Sequence, residues 1–238
     1  MTELREALGS ADATALEALA PQAVRAYIAG DTEALHRLVD AERVGYDRMG
    51  AASSGADTIE TQVVAAARLP QLTFIRSVVI FEGPSGRGWQ HVLTVWRRHN
   101  HSWRLLVISN DPLTTREFFP AVTDLVPRAQ EDGQLPSPAQ LSYPLEDGSF
   151  IRPRSGDGVF EDFVWQPSSS SDVLAEVVEV DFTTSGNRLF LFVRDGTVPV
   201  EQRLSAGQLW GYGRDRWRVW SIGVDGSVTF SETRTFEH

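Results

Sequence analysis

The chain has 238 residues, 42% of them apolar, with 22 basic against 32 acidic residues and no cysteine. Residues 1–126 carry 12 bases and 15 acids (−3) and residues 127–238 carry 10 and 17 (−7), so neither half has the basic footprint that nucleic acid or an anionic membrane surface requires. Without cysteine there is no disulfide, no thiolate metal site and no cysteine nucleophile.

All 22 basic residues are arginine, which reads as biased genome base composition. No apolar run approaches the roughly 20 residues that span a bilayer. The opening MTELREALGSADATALEALA is acidic and amphipathic, without the basic start and apolar core of a signal peptide, so a cytoplasmic location is expected. At this length two domains are expected.

In chain order, Asp12 reads as the N-cap of a first helix. Ala15, Leu16, Leu19, Val24, Tyr27 and Ile28 recur behind it at helical spacing to about Ala29, with Pro21 as its start or a kink. Gly30 suits the C′ position, and Asp31-Thr32-Glu33 opens a second helix carrying Ala34, Leu35, Leu38 and Val39. Small residues over 49–56 read as a loop. Asp57 then caps an expected third helix, Thr58–Arg68, with Ile59, Val63, Val64 and Ala67 as its buried stripe, stopped by Pro70. Leu72–Glu82 is an expected strand rich in β-branched and aromatic residues. Trp89–Arg98 alternates with period two, His99-Asn100-His101-Ser102 is a tight turn, and Trp103–Ser109 is the returning strand. In the first of these strands Trp89, His91, Leu93 and Val95 share one face, and Gln90, Val92, Thr94 and Trp96 the other.

Residues 113–126 read as a short helix or connector, and the proline-rich acidic stretch 127–137 as an interdomain linker. From residue 138 the pattern is all β. Strands are expected at Gln140–Leu145, Val159–Trp165, Leu174–Phe182, Arg188–Arg194, Val198–Leu204, Trp217–Gly223 and Ser227–Phe236, with turn signals between them at the spacing of a β-sandwich.

The phrases AVRAYIAGDTEALHRLV (Ala23–Val39) and TVWRRHNHSWRLLVISND (Thr94–Asp111) make residues 12–112 resemble the nuclear transport factor 2-like, or SnoaL-like, cone fold. The resemblance implies helices closing over a curved antiparallel sheet. Here only Ala41–Ala56 stands where that family usually adds short strands. Tyr143-Pro144, Asp147-Gly148, Trp165 and the closing Arg216–Phe236 make residues 138–238 resemble a fibronectin type III-like or immunoglobulin-like β-sandwich. The expected class is α+β, with a cone-fold domain (1–126), a linker (127–137) and an all-β sandwich (138–238).

A cone of this kind implies a pocket between helices and sheet. Tyr27, Tyr46 and Trp96 are candidate lining residues, with Trp96 also suited to filling core. His91 and Asp47 are candidate general bases, since SnoaL-like enzymes use a pocket Asp or His beside a carbonyl. Against this, His91 equally reads as a hydrogen-bonded or edge histidine, and Asp47, beside Arg43 and Arg48, as a surface ion pair. His99 and His101 lack a third metal ligand nearby, and Asp157, Glu161 and Asp162 lack the alternating oxygens of a calcium loop, so no metal and no cofactor is expected. No phosphate loop, Gly-x-Ser-x-Gly elbow or His-Glu-x-x-His is present.

Trp210, Tyr212, Trp217 and Trp220 crowd one span; Trp217 and Trp220, three apart, face opposite sides of a strand. One belongs to the core. The other, with Trp210 and Tyr212, suits a protein or carbohydrate contact or burial. The leading expectation is a non-catalytic protein that binds a small apolar or mixed ligand, or a partner, and carries a β-sandwich interaction module. The alternatives are a cofactor-independent SnoaL-like isomerase, cyclase or dehydratase, and a carbohydrate-binding accessory protein. A homodimer is expected from Trp89 and Trp96, which put bulk on both faces of one strand.

Overall fold

The computed structural model describes residues 10–40, 57–84, 86–100, 102–109, 119–144, 146–149, 162–182, 187–195, 202–205 and 214–237. The chain divides into two compact units, Met1–Pro127 and Arg128–His238, and the whole is a sheet-rich α+β protein.

The first unit begins with α1 (Ser10–Ala29), which runs through Pro21. Gly30 follows at φ 71°, a left-handed conformation that ends helices at no steric cost to glycine. Asp31 then caps α2 (Thr32–Leu38), its carboxylate accepting from the Ala34 amide at 2.9 Å. Asp12 is not the N-cap expected of it. It is already helical, inside Ser10–Ala29, and its carboxylate reaches across to the sheet instead.

Four antiparallel strands follow, β1 (Asp57–Arg68), β2 (Leu72–Gly83), β3 (Gly86–His99) and β4 (Ser102–Ser109), in the spatial order β1-β2-β3-β4. The β3–β4 hairpin turns on Asn100 at φ 55°, the conformation asparagine tolerates. The expected third helix, Thr58–Arg68, is strand β1. Five of its first seven residues from Thr58 are β-branched, which favours a pleated surface. Register shifts between Thr58 and Glu60 and between Val63 and Ala65 each add an unpaired residue. These bulges break the period of two, so the apolar positions 59, 63, 64 and 67 imitate a helical stripe. Ile59, placed in that stripe, is 50% exposed.

One face of this sheet carries the helices. Leu16, Ala20, Ala23, Val24, Tyr27 and Ile28 of α1 and Leu35 of α2 form one cluster with Ile75, Val79, Val92, Trp96, Trp103, Leu105 and Ile108. Asp12 fastens α1 to three strand ends. It accepts from Arg68 Nη2 at 2.7 Å and from Trp103 Nε1 at 3.3 Å, with Arg98 Nη1 at 3.7 Å. Asp40 makes the second clamp: its carboxylate takes both Nε (2.9 Å) and Nη2 (2.5 Å) of Arg97, and its amide donates to the Leu105 carbonyl at 2.9 Å. A two-toothed Arg–carboxylate pair of this kind fixes direction as well as distance.

In the second unit, residues 128–137 lie against its surface. The Gln130 amide donates to the Val224 carbonyl at 2.8 Å, and the Ser137 amide to Ser170 Oγ at 2.7 Å. Two sheets follow. One has the order β10-β7-β5, from β5 (Gln140–Tyr143), β7 (Asp162–Gln166) and β10 (Gln202–Ser205). The other has the order β6-β13-β11-β8-β9, with β12 also on β11. Its strands are β6 (Gly148–Ser149), β8 (Val173–Phe182), β9 (Asn187–Asp195), β11 (Arg214–Gly223), β12 (Val228–Phe230) and β13 (Arg234–Glu237). Both sheets feed one core of Ala139, Leu141, Phe163, Trp165, Val178, Val180, Trp217, Val219 and Phe236. The single strand expected over Ser227–Phe236 is two. Ser231 interrupts it, taking the Val219 amide on its hydroxyl at 2.9 Å and giving its own amide to the Val219 carbonyl at 2.9 Å.

Candidate functional site

Strand register decides which side chains look toward the helices. Ile75, Val79, Val92 and Trp96 belong to the helix-side cluster, so their cross-strand partners share that face. Thr61 and Gln90 both stand opposite Val79, Ser77 opposite Val63 and Val92, and Thr58 opposite Phe81. The helix side of β1–β3 therefore holds three successive rows: Thr58, Phe81, Gly88; Thr61, Val79, Gln90; Val63, Ser77, Val92. Gly88 leaves room for the Phe81 ring, since a Cβ there would lie 2.8 Å from Phe81 Cζ.

Four polar groups in these rows are buried yet have no hydrogen-bond partner among the described residues: Thr58 Oγ1, Thr61 Oγ1, Ser77 Oγ and Gln90 Nε2. Ser77 is 1% exposed. A fifth, Thr73 Oγ1, lies at the other end of the face beside Trp96. An unmet buried hydroxyl or amide costs about 1–3 kcal/mol, so four in adjacent rows mark a place where polar partners beyond the described residues are wanted. Thr94 one row further on shows the contrast. Its hydroxyl donates to the Ile75 carbonyl at 3.4 Å and accepts from Trp96 Nε1 at 3.0 Å.

Of the residues expected from sequence, Tyr27 and Trp96 are both buried in the helix-side cluster, where Trp96 fills core. His91 is on the opposite face. It pairs across the sheet with Val78 and packs edge-on against Trp89, ring centres 5.6 Å apart. The expectation that His91 enters a helix–sheet pocket is corrected by this register: Gln90 and Val92, one residue either side, are the ones that face the helices. Tyr46 and Asp47 lie outside the described residues, as do Trp210, Tyr212, His101, Asp157 and Glu161. Trp89 stands 67% exposed on the outer face, beside half-buried Val78 and Ile80.

In the second unit Trp217 and Trp220 do face opposite ways. Trp217 meets Phe163 in the shared core at 4.9 Å, and Trp220 is also fully buried, so it cannot contribute to a surface patch. Two carboxylates that sequence reasoning missed are buried here. Glu176 accepts from Trp165 Nε1 at 2.8 Å and from the Ser168 amide at 2.7 Å. Glu179 accepts from Arg218 Nε at 2.6 Å and Trp220 Nε1 at 2.7 Å, and the Arg218 guanidinium lies 4.0 Å over the Phe230 ring. Their partners are internal, so they read as structural. Among the described residues no three His, Asp or Glu side chains gather as a metal site, and no described helix is long and apolar enough to cross a membrane.

No family model matches the chain, and no curated protein matches it.

Proposed function

We propose that this is a two-unit binding protein. Its helix-and-sheet unit holds a small ligand of mixed polarity on the helix side of β1–β3, and its β-rich unit serves as an interaction module. The observation that carries the reading is Ser77 Oγ, buried and unmet among the described residues, in company with Thr58, Thr61 and Gln90 on one face. The resemblance of residues 12–112 to the nuclear transport factor 2-like cone agrees, because that fold keeps its pocket between helices and sheet. The resemblance of residues 138–238 to a fibronectin type III-like sandwich supports the module. Native mass spectrometry of the protein purified without delipidation tests the reading. A bound small molecule that survives purification and is lost from Thr61→Val or Ser77→Ala is expected; a spectrum of bare protein under all desolvation conditions counts against it.

Trp89 favours a second, compatible property. An indole 67% exposed beside Val78, Ile80 and His91 on a sheet face suits self-association, and a homodimer through this face is proposed.

A further inference from the structure

We infer that the occupant of the helix-side site is an uncharged, ring-sized compound bearing carbonyl or hydroxyl groups; this rests on the ligand reading above. The three rows offer hydroxyls at Thr58, Thr61 and Ser77 and a carboxamide at Gln90, with Val63, Val79, Val92 and Phe81 between them. None of these groups is ionisable. Among the described residues the charged side chains here, Arg68 and Arg98 of the sheet and Asp12 of α1, gather instead at the far end of the face and are spent on one another. A charged ligand would surrender its water to these four neutral partners, which is strongly unfavourable, whereas a neutral one loses little. Gln90 Nε2 is a donor and so calls for an acceptor, a carbonyl or ether oxygen. The hydroxyls give or take as the ligand demands.

Spacing sets the size. Thr61 and Gln90 flank Val79 from the two neighbouring strands, so they stand about 10 Å apart, two strand spacings. Ser77 sits diagonally to both, at about 7–8 Å. A fused ring system with polar groups at its edges meets all three; an acyl chain, whose polar atoms sit at one end, or a lone water does not.

The test uses the full chain with two fluorescent probes: Nile red, uncharged and carbonyl-bearing, and 1-anilinonaphthalene-8-sulfonate, an anion of similar size. Nile red is expected to saturate at one per chain and to bind more tightly than the sulfonate. Gln90→Leu and Thr61→Val, both at half-buried positions, should each weaken Nile red by roughly five- to tenfold, with unchanged circular dichroism. Tighter sulfonate binding, or Nile red binding that neither substitution alters, overturns the assigned ligand class while leaving a ligand site standing. Binding of neither probe, with density from ordered water alone over Ser77 and Gln90, overturns both the class and the site.

Discussion

Glu176→Gln changes one atom and should destabilise the second unit out of proportion to its size. The wild-type carboxylate is 1% exposed and offers one oxygen to Trp165 Nε1 (2.8 Å) and the other to the Ser168 amide (2.7 Å). Both partners are donors that cannot reverse. A glutamine has only one acceptor oxygen, so however its amide is turned, its NH2 group faces a donor. One charge-assisted bond becomes a neutral one, the other becomes a donor–donor contact, and the expected loss is about 2–4 kcal/mol. With a urea slope of about 2 kcal/mol/M for a unit of this size, the unfolding midpoint should fall by about 1–2 M. Equilibrium unfolding followed by tryptophan fluorescence reads this directly. Glu237→Gln, at an exposed position near the end of β13, is the control and should stay within about 0.5 kcal/mol of wild type. A Glu176→Gln midpoint indistinguishable from that control would refute the claim that the carboxylate is held by two fixed donors.

Three further outcomes are expected. Arg97→Lys loses the paired geometry with Asp40 and should lower the first unit's stability by about 1–2 kcal/mol in the same assay, since one ammonium cannot reproduce the fork. Gly88→Ala puts a Cβ 2.8 Å from the Phe81 ring, so the ring must move; Nile red affinity should change while the thermal midpoint falls by only a few degrees, a shift of about 1 kcal/mol. Trp89→Glu should leave the melting curve within about 0.5 kcal/mol and, in sedimentation velocity, convert any dimer to monomer.

Much of the framework was legible because local chemistry and tertiary structure agree there. Gly30 and Asp31 mark the helix junction by conformational need and by capping, and Asn100 marks the hairpin. β1 reads as a helix in the sequence because its two bulges shift apolar residues out of alternation, and a bulge leaves no local signature in sequence. The alternation of β3 in the sequence matches its register in the sheet. What the strand did not reveal was which face meets the helices, because Trp89, Leu93 and Val95 on one side are as bulky as Val92 and Trp96 on the other. That is why His91 reads in the sequence as an inward residue. The site's own residues did leave a trace. Ser77 and Gln90 are polar at positions whose strand neighbours in the same phase, Ile75, Val79 and Val92, are core. Recognising them as unmet rather than surface-facing required the cross-strand register.

The central claim is that the helix side of β1–β3 holds a small molecule. The most direct measurement is a high-resolution crystal structure of protein purified without delipidation, read for electron density over Thr61, Ser77 and Gln90. The account predicts continuous ring-sized density with polar atoms about 3 Å from Ser77 Oγ and Gln90 Nε2. Isolated water peaks at those atoms, or side chains of the protein itself making the missing bonds, would contradict it.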